Sequence, residues 1–133
     1  MFIHANHERG KNMKKRIAFA AMILALSASS VLPAFAGQWR NSGKTRWYQF
    51  DDGSYPKEKW EQIDGTWYFF DDNGYLFRGW HNIKGYWYYF DGDGRMLANT
   101  WIGNYYVGST GAMLADCITP DGYRVGLDGK WIP

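Results

Sequence analysis

Aromatic rings are the side chains of this 133-residue sequence whose spacing could support chemistry. Tryptophans recur in two series, one separated by 21, 20 and 21 residues and the other by 20 and 20: Trp39, Trp60, Trp80 and Trp101, and Trp47, Trp67 and Trp87. Aromatic residues make up 20% of the chain, so much of its apolar surface is ring. Ring faces offer a surface to ligands as well as bulk to a core. The rings are therefore the candidate binding residues.

Side chains suited to catalysis or metal binding are scarce. Beyond residues 1–36, the sequence has one histidine, His81, and one cysteine, Cys117. A nucleophile needs a base beside it, and a zinc site needs several ligands. We therefore predict that the chain is not an enzyme and uses no metal or cofactor. We expect His81 to lie in solvent, and Cys117 either to pack as a small apolar residue or to link two copies as a homodimer.

The tryptophans lie in a repeated segment of about twenty residues. Residues 79–98 are a complete copy: Gly-Trp, a glycine turn, an unbroken aromatic run, an Asp/Gly turn, and a bulky apolar residue two positions after the glycine. Pairs such as Asp64-Gly65 and Lys84-Gly85 favour tight hairpin turns. We predict that each copy is a β-hairpin, with copies at about 38–58, 59–78, 79–99, 100–115 and 116–133.

Each predicted hairpin is apolar on both faces. In one strand Trp87 and Tyr89 face one side, and the aromatic residues next to them face the other. Because a lone hairpin is at best marginally stable in water, these hairpins must pack on one another. We predict an all-β solenoid of stacked hairpins, capped by polar substitutions such as Gln49 and Arg124 in the terminal copies.

Acidic residues recur at the turn that leaves each hairpin, as in Asp71-Asp72 and Asp91. Asp and Asn side chains bond the local backbone at such turns. The spacing does not match a calcium-binding EF-hand loop. We interpret these carboxylates as turn residues rather than metal ligands.

Residues 1–36 are predicted to be a signal peptide with an N-terminal extension. Basic residues 14–16 follow the predicted start at Met13, an apolar run covers residues 17–26, and Ala34-Phe35-Ala36 fits a cleavage site after Ala36. The apolar run is shorter than the roughly 20 residues of a spanning helix, so we expect no membrane span after signal removal. The predicted domains are therefore 1–36 and 37–133.

Removal of the predicted signal peptide changes the net charge. The segment holds five of the 15 basic residues and one of the 13 acidic residues, so ten basic and twelve acidic residues remain, with a net charge of −2. A nucleic-acid-binding surface needs clustered basic residues. We therefore exclude nucleic acid as a partner.

The repeats resemble the cell-wall-binding repeats of Gram-positive bacteria, in particular the choline-binding modules of cell-wall hydrolases and surface proteins. The resemblance lies in Gly-Trp, Trp-Tyr-(Tyr/Phe)-Phe-Asp and Gly-x-Met at a period near twenty, and it covers residues 38–133. In that family the hairpins form a left-handed superhelix, and choline lies between successive hairpins in a cage of three aromatic residues, often near a methionine. The resemblance implies a secreted, wall-associated module that binds the choline of teichoic and lipoteichoic acids.

Carried over position by position, the resemblance implies three cages. Each takes two tryptophans from one repeat and one aromatic residue from the next: Trp39, Trp47 and Tyr68 form the first cage, Trp60, Trp67 and Tyr88 the second, and Trp80, Trp87 and Tyr105 the third. Met96 is expected at the third cage, and a longer turn at residues 41–45 sets the first repeat apart. Because Asn104 replaces the next tryptophan, the site beyond Trp101 is expected to be empty, and Trp131 is expected to cap the solenoid.

Ring chemistry agrees with this ligand class. A quaternary ammonium group cannot donate hydrogen bonds, so ring faces around a diffuse cation are the recognition available to it. The alternative is an α-glucan- or receptor-glycan-binding module, as in glucosyltransferases and clostridial toxins, whose repeats usually have Lys or Thr where this chain has Trp67 and Trp87. A purely structural stalk, in which the rings are only core, is a third interpretation.

Overall fold

A series of short antiparallel units runs through residues 36–133, which the computed structural model describes. The predicted signal peptide lies outside the described residues, apart from Ala36. Residues Gly37–Pro133 form one compact unit. The strands are β1 (Gly37–Ser42), β2 (Thr45–Phe50), β3 (Lys59–Ile63), β4 (Thr66–Phe70), β5 (Gly79–Ile83), β6 (Tyr86–Phe90), β7 (Thr100–Ile102), β8 (Tyr105–Val107), β9 (Cys117–Ile118), β10 (Arg124–Val125) and β11 (Trp131–Ile132).

Successive strands pair as hairpins, which confirms the predicted all-β fold. Strands β1–β2, β3–β4, β5–β6 and β7–β8 form separate two-stranded sheets, and β9, β10 and β11 form a three-stranded sheet. Within residues 36–133 there is no helix, and therefore none long and apolar enough to cross a membrane.

The tight turns have the backbone conformation predicted from their residues. Asp64 and Gly65 have φ values of 51° and 80°, and Lys84 and Gly85 have values of 52° and 92°. Positive φ at both central residues matches the twist of the flanking strands, which is why Asp-Gly pairs favour this turn.

Carboxylates shape the turns that leave the hairpins. The Asp71 Oδ1 atom accepts hydrogen bonds from the amides of Asn73 (2.8 Å) and Tyr75 (2.9 Å). The Asp91 Oδ1 atom accepts equivalent bonds from Asp93 and Arg95, both 2.9 Å. These contacts support the interpretation that the acidic residues serve the turns.

Backbone hydrogen bonds join each hairpin to the next. The Met96 amide donates to the Trp67 carbonyl oxygen (2.9 Å), and the Met113 amide donates to the Trp87 carbonyl oxygen (2.8 Å). The Trp131 amide makes the same bond to Asn104 at 2.8 Å. We call the turn that leaves each hairpin its exit turn. The residue after each exit turn is therefore hydrogen-bonded to the preceding hairpin, which stacks the hairpins in one direction.

Four of the repeats contain a fully buried side chain near the end of a strand, and we call these four side chains the buried spine. Phe70, Phe90, Val107 and Val125 each have 0% exposure, and they lie at the ends of β4, β6, β8 and β10. Each lies in a different repeat, so the second to fifth repeats each contribute one fully buried side chain. Full burial of such side chains contributes about 1.5–3 kcal/mol each.

Glycine is required where an exit turn covers the apolar residue of the preceding repeat. A Cβ atom at Gly94 would lie 2.7 Å from the Leu76 Cδ1 atom, and one at Gly129 would lie 2.5 Å from the Met113 Cε atom. Both glycines also have a φ of 82°. The close approach and the positive φ together explain the glycine two positions before the bulky residue of each repeat.

The first hairpin differs from the others in register. Trp39 pairs with Tyr48, whereas Trp60 pairs with Phe69 and Trp80 with Tyr89. Strands β1 and β2 have six residues each, one more than β3 to β6, and Ser42 pairs with Thr45 across a two-residue turn. The predicted longer turn at residues 41–45 was therefore wrong, because the additional residues extend the strands.

Polar side chains lie beside Trp47 on the outer face of the first hairpin, in agreement with the predicted cap. Arg40 donates from Nε to the Gln49 side-chain oxygen at 3.1 Å. At the other end, the Arg124 guanidinium forms an exposed ion pair with Asp116 at 3.3 Å.

Candidate functional site

The second cage brings its three predicted rings together. Strands β3 and β4 contribute Trp60 and Trp67, whose ring centroids are 6.3 Å apart at an interplanar angle of 85°. The next hairpin contributes Tyr88, with its centroid 4.8 Å from that of Trp60 at an angle of 72°. Met96 and Thr110 complete the lining of a cavity of about 250 Å³.

The third cage repeats this arrangement one hairpin later. Trp80, Trp87 and Tyr105 line a cavity of about 330 Å³ together with Met113 and Asp128. The ring centroids of Trp80 and Tyr105 are 5.7 Å apart at 72°. The methionine of this cage is Met113, because each cage takes the apolar residue of its second hairpin. The expectation that Met96 belongs to the third cage was therefore wrong.

The two cages leave ring faces open to solvent. Trp67 is 41% exposed and Trp87 is 44% exposed, although both are large apolar side chains. Strand alternation directs Trp87 towards the following repeat, whereas Tyr88 contacts Trp60 of the preceding one. Rings at near right angles can present more than one face to the same cation, and each such contact contributes about 0.5–2 kcal/mol.

The structure brings together only two of the three residues predicted for the first cage. Trp39 and Tyr68 have ring centroids 4.9 Å apart. Trp47 lies on the opposite face of its hairpin, where it contacts Tyr55 at 5.6 Å. The longer strands place Arg46 where Trp67 and Trp87 lie in the later hairpins, since the Arg46 carbonyl accepts the equivalent bond from Leu76 at 3.3 Å.

Arg46 covers the ring that the first cage would present to a ligand. Its guanidinium carbon lies 4.1 Å from the centroid of the Trp39 ring. A spacing signal for this substitution was present in the sequence. Trp39 and Trp47 are separated by eight residues, whereas Trp60 and Trp67, like the tryptophans of the third cage, are separated by seven.

Three rings also meet beyond Trp101, at the site that was expected to be empty. Trp101, Tyr123 and Trp131 line a cavity of about 520 Å³, together with Gly103, Asn104 and Asp121. We call the three rings the fourth cage. The Tyr123 ring centroid is 6.0 Å from that of Trp101 and 6.4 Å from that of Trp131. The rings meet here although Asn104 replaces the tryptophan of the other cages, and the expectation that this site holds no choline stays a prediction.

Trp131 occupies the position of the methionines in the other cages. Its amide bonds the Asn104 carbonyl as the Met96 and Met113 amides bond Trp67 and Trp87. The sequence signal was its place two residues after Gly129, the bulky apolar position of the repeat. The last copy therefore supplies a cage wall, in addition to ending the stack.

A carboxylate is bonded directly to the fourth cage. The Trp101 indole Nε1 atom donates to the Asp121 Oδ2 atom at 2.8 Å, and the Thr119 hydroxyl donates to Oδ1 at 2.5 Å. The Thr119 hydroxyl bond and then the Trp101 indole bond hold the pKa of the Asp121 carboxyl below its ordinary value. The group is therefore ionised at neutral pH.

His81 takes a structural position. Its ring stacks on Phe77 with centroids 3.8 Å apart and an interplanar angle of 7°. Its Nε2 atom lies 2.9 Å from the carbonyl oxygen of Arg78. The expectation that His81 lies in solvent therefore holds only in part, since the ring is partly buried.

Stacked hairpins with aromatic cages between them define a class of binding module made of repeats. Sequence models of the choline-binding repeat match residues 57–101 and 95–131. The chain belongs to the choline-binding repeat family, whose repeats are binding modules rather than catalytic domains. Among curated protein sequences, none matches the chain.

Solved structures from pneumococcus and its phage share the fold. CbpJ from Streptococcus pneumoniae is 30% identical with a TM-score of 0.65, and the match covers 73% of this chain and 34% of CbpJ. The choline-binding domain of Spr1274 from the same species is 35% identical with a TM-score of 0.53, covering 59% of this chain and 98% of that domain. The chain thus spans about a third of CbpJ and nearly all of the Spr1274 domain.

A phage relative was solved with ligand. The multimodular pneumococcal cell-wall endolysin from phage Cp-1, complexed with choline, is 37% identical with a TM-score of 0.56, and the match covers 62% of this chain and 26% of the endolysin.

Proposed function

We propose that residues Gly37–Pro133 hold a secreted protein at the bacterial surface by binding choline residues of teichoic and lipoteichoic acids. The main support is that the same arrangement of rings recurs at two successive interfaces between hairpins, in the second and third cages. A core would need only bulk, but Trp67 and Trp87 keep large exposed faces. A trimethylammonium group carries a diffuse charge and no N–H, so open ring faces suit it.

Several weak sites would act together on one polymer. A millimolar dissociation constant corresponds to about 4 kcal/mol, which two or three cation–π contacts can supply. Once one cage is occupied, the second cage meets a neighbouring choline of the same chain at high effective concentration. The module would therefore attach firmly to a repeating polymer, while free choline at high concentration would release it.

We also propose that the predicted signal peptide directs export and that these residues bind a ligand without catalysing a reaction. The endolysin from phage Cp-1 is much longer than the part that matches this chain, which supports a binding role for the matched repeats apart from the rest of that protein. Cys117 is a free, partly exposed thiol, and a homodimer linked through it stays a prediction. Gel filtration with and without reductant would test the dimer independently of ligand binding.

Tryptophan fluorescence of the purified protein would test the proposal. We expect a saturable change with choline and none with dextran, because dextran has no cationic group. Saturation by dextran alone would instead support the glycan-binding alternative. Sedimentation with choline-bearing cell walls, with and without free choline as competitor, would then test surface attachment.

A further inference from the structure

The fourth cage has a different wall from the second and third. Asn104 stands where Trp67 and Trp87 stand in those cages, so one side of the cavity has a polar amide instead of a ring. The cavity is also larger, at about 520 Å³ against about 250 and 330 Å³. A ligand here would meet rings on some sides and polar groups on others.

Asp121 supplies a fixed negative charge at this cavity. Each of its oxygens accepts one hydrogen bond, from the Trp101 indole and from the Thr119 hydroxyl. A carboxylate oxygen can accept two, so each keeps capacity for a donor from a ligand. Within residues 36–133, Asp121 has no ion-pair partner.

A buried residue holds this carboxylate beside the cage. Thr119 is only 3% exposed, and its hydroxyl also accepts a hydrogen bond from the Tyr123 amide at 3.1 Å. The Thr119 amide donates to the Tyr123 carbonyl at 2.7 Å. The carboxylate and the Tyr123 ring are therefore positioned by the same buried side chain before a ligand arrives.

Asp128 at the third cage is held differently. It lines that cavity, but its Oδ1 atom accepts the amide of Lys130 within its own turn at 2.9 Å. Asp121 instead bonds the indole of a cage residue. The fourth cage therefore joins a ring and a carboxylate in one hydrogen-bonded unit.

We propose that the fourth cage, with Asp121, is a further cation site that prefers a primary ammonium ion to a quaternary one. An ammonium N–H can donate to the carboxylate while its charge faces Trp101 and Trp131, and charge-assisted hydrogen bonds are stronger than neutral ones. A quaternary ammonium meets the same rings but cannot donate. This inference does not rest on choline binding in the other cages.

Indole N–H signals in a nitrogen-15 NMR spectrum of the purified protein would test it. Choline and 2-aminoethanol are matched probes, since both carry a hydroxyethyl arm and a positive charge at neutral pH and differ in the methyl groups on nitrogen. Trp101→Phe and Trp131→Phe would assign the two reporting signals. We expect 2-aminoethanol to shift these signals at lower concentration than choline does, with smaller effects on the signals of Trp80 and Trp87.

Asp121→Asn is the deciding variant, because asparagine keeps an acceptor for the indole but loses the charge. We expect it to weaken 2-aminoethanol binding about fivefold or more. Asp116→Asn is the matched control, because Asp116 pairs with Arg124 outside the cage. The choline response of Trp60 and Trp67 should be unchanged in both variants and reports the proposed choline function separately.

Three results would overturn the inference. They are no shift of the Trp101 and Trp131 signals with 2-aminoethanol, tighter binding of choline than of 2-aminoethanol at these signals, and equal 2-aminoethanol affinity in Asp121→Asn and the parent protein. Indole N–H signals that stay as well dispersed as in the parent protein would show that the variants are folded.

Discussion

The guanidinium of Arg46 lies over the ring of Trp39, with 4.1 Å between the guanidinium carbon and the ring centroid. The chain thereby supplies its own cation at the interface where the first choline cage was predicted. Arg46 is there because the first hairpin has one more residue in each strand than the second and third hairpins. Trp39 and Tyr68 remain in contact, so this interface lacks only the second tryptophan.

Arg46→Trp should therefore add a choline site. The new ring would lie on the face of Trp39 and Tyr68, and the cation that now covers Trp39 would be removed. We expect equilibrium dialysis to show one more choline bound per chain than in the parent protein. Arg40→Trp is the matched control, since Arg40 lies in β1 of the same hairpin, on the opposite face from Arg46. An unchanged stoichiometry in a folded Arg46→Trp variant would contradict the assignment of this interface.

Trp87→Ala should weaken choline binding at the third cage with little loss of stability. Trp87 is 44% exposed, so its replacement leaves the buried spine intact. Losing one of three cation–π contacts should weaken this site by about tenfold. Tyr86→Ala is the control, because Tyr86 is the preceding residue of β6 and is 61% exposed. Equal loss of choline binding in the two variants, measured by equilibrium dialysis, would show that Trp87 does not act as a cage wall.

Choline should raise the melting temperature of the protein. A ligand held between two hairpins favours the stacked state over the unfolded chain. At a concentration about 100 times the dissociation constant, each occupied site adds about 2.7 kcal/mol, which shifts a domain of this size by about ten degrees or more. Circular dichroism melts in rising choline would measure the shift. An unchanged melt at a concentration that saturates fluorescence would argue against sites between hairpins.

Gly94→Ala should destabilise the stack, whereas Gly92→Ala should have a small effect. Gly94 has a φ of 82°, and an added Cβ would approach Leu76 to 2.7 Å. Gly92 lies in the same turn, has no atom within 4 Å of an added Cβ, and has no positive φ. We expect a loss of about 2 kcal/mol or more for Gly94→Ala in urea unfolding. Similar midpoints for the two variants would mean that the contact between turn and preceding repeat does not contribute to stability.

The sequence by itself determined the features that depend on neighbouring residues. Asp64-Gly65 and Lys84-Gly85 set tight turns because their backbone tolerates positive φ, and the strand period of two then placed Trp87 and Tyr88 on opposite faces. The all-β stack and the ring contents of the second and third cages followed from this local geometry and from the resemblance.

Only the tertiary structure decided which side chains meet across hairpins. The offset of one hairpin on the next placed Met96 in the second cage and Trp131 in the fourth, because the amide after each exit turn bonds the preceding hairpin. Because the strands of the first hairpin are longer, Arg46 lies at the interface and Trp47 lies on the opposite face. Both outcomes depend on the register of backbone hydrogen bonds, and a shift of one residue reverses the face on which every side chain of a strand lies.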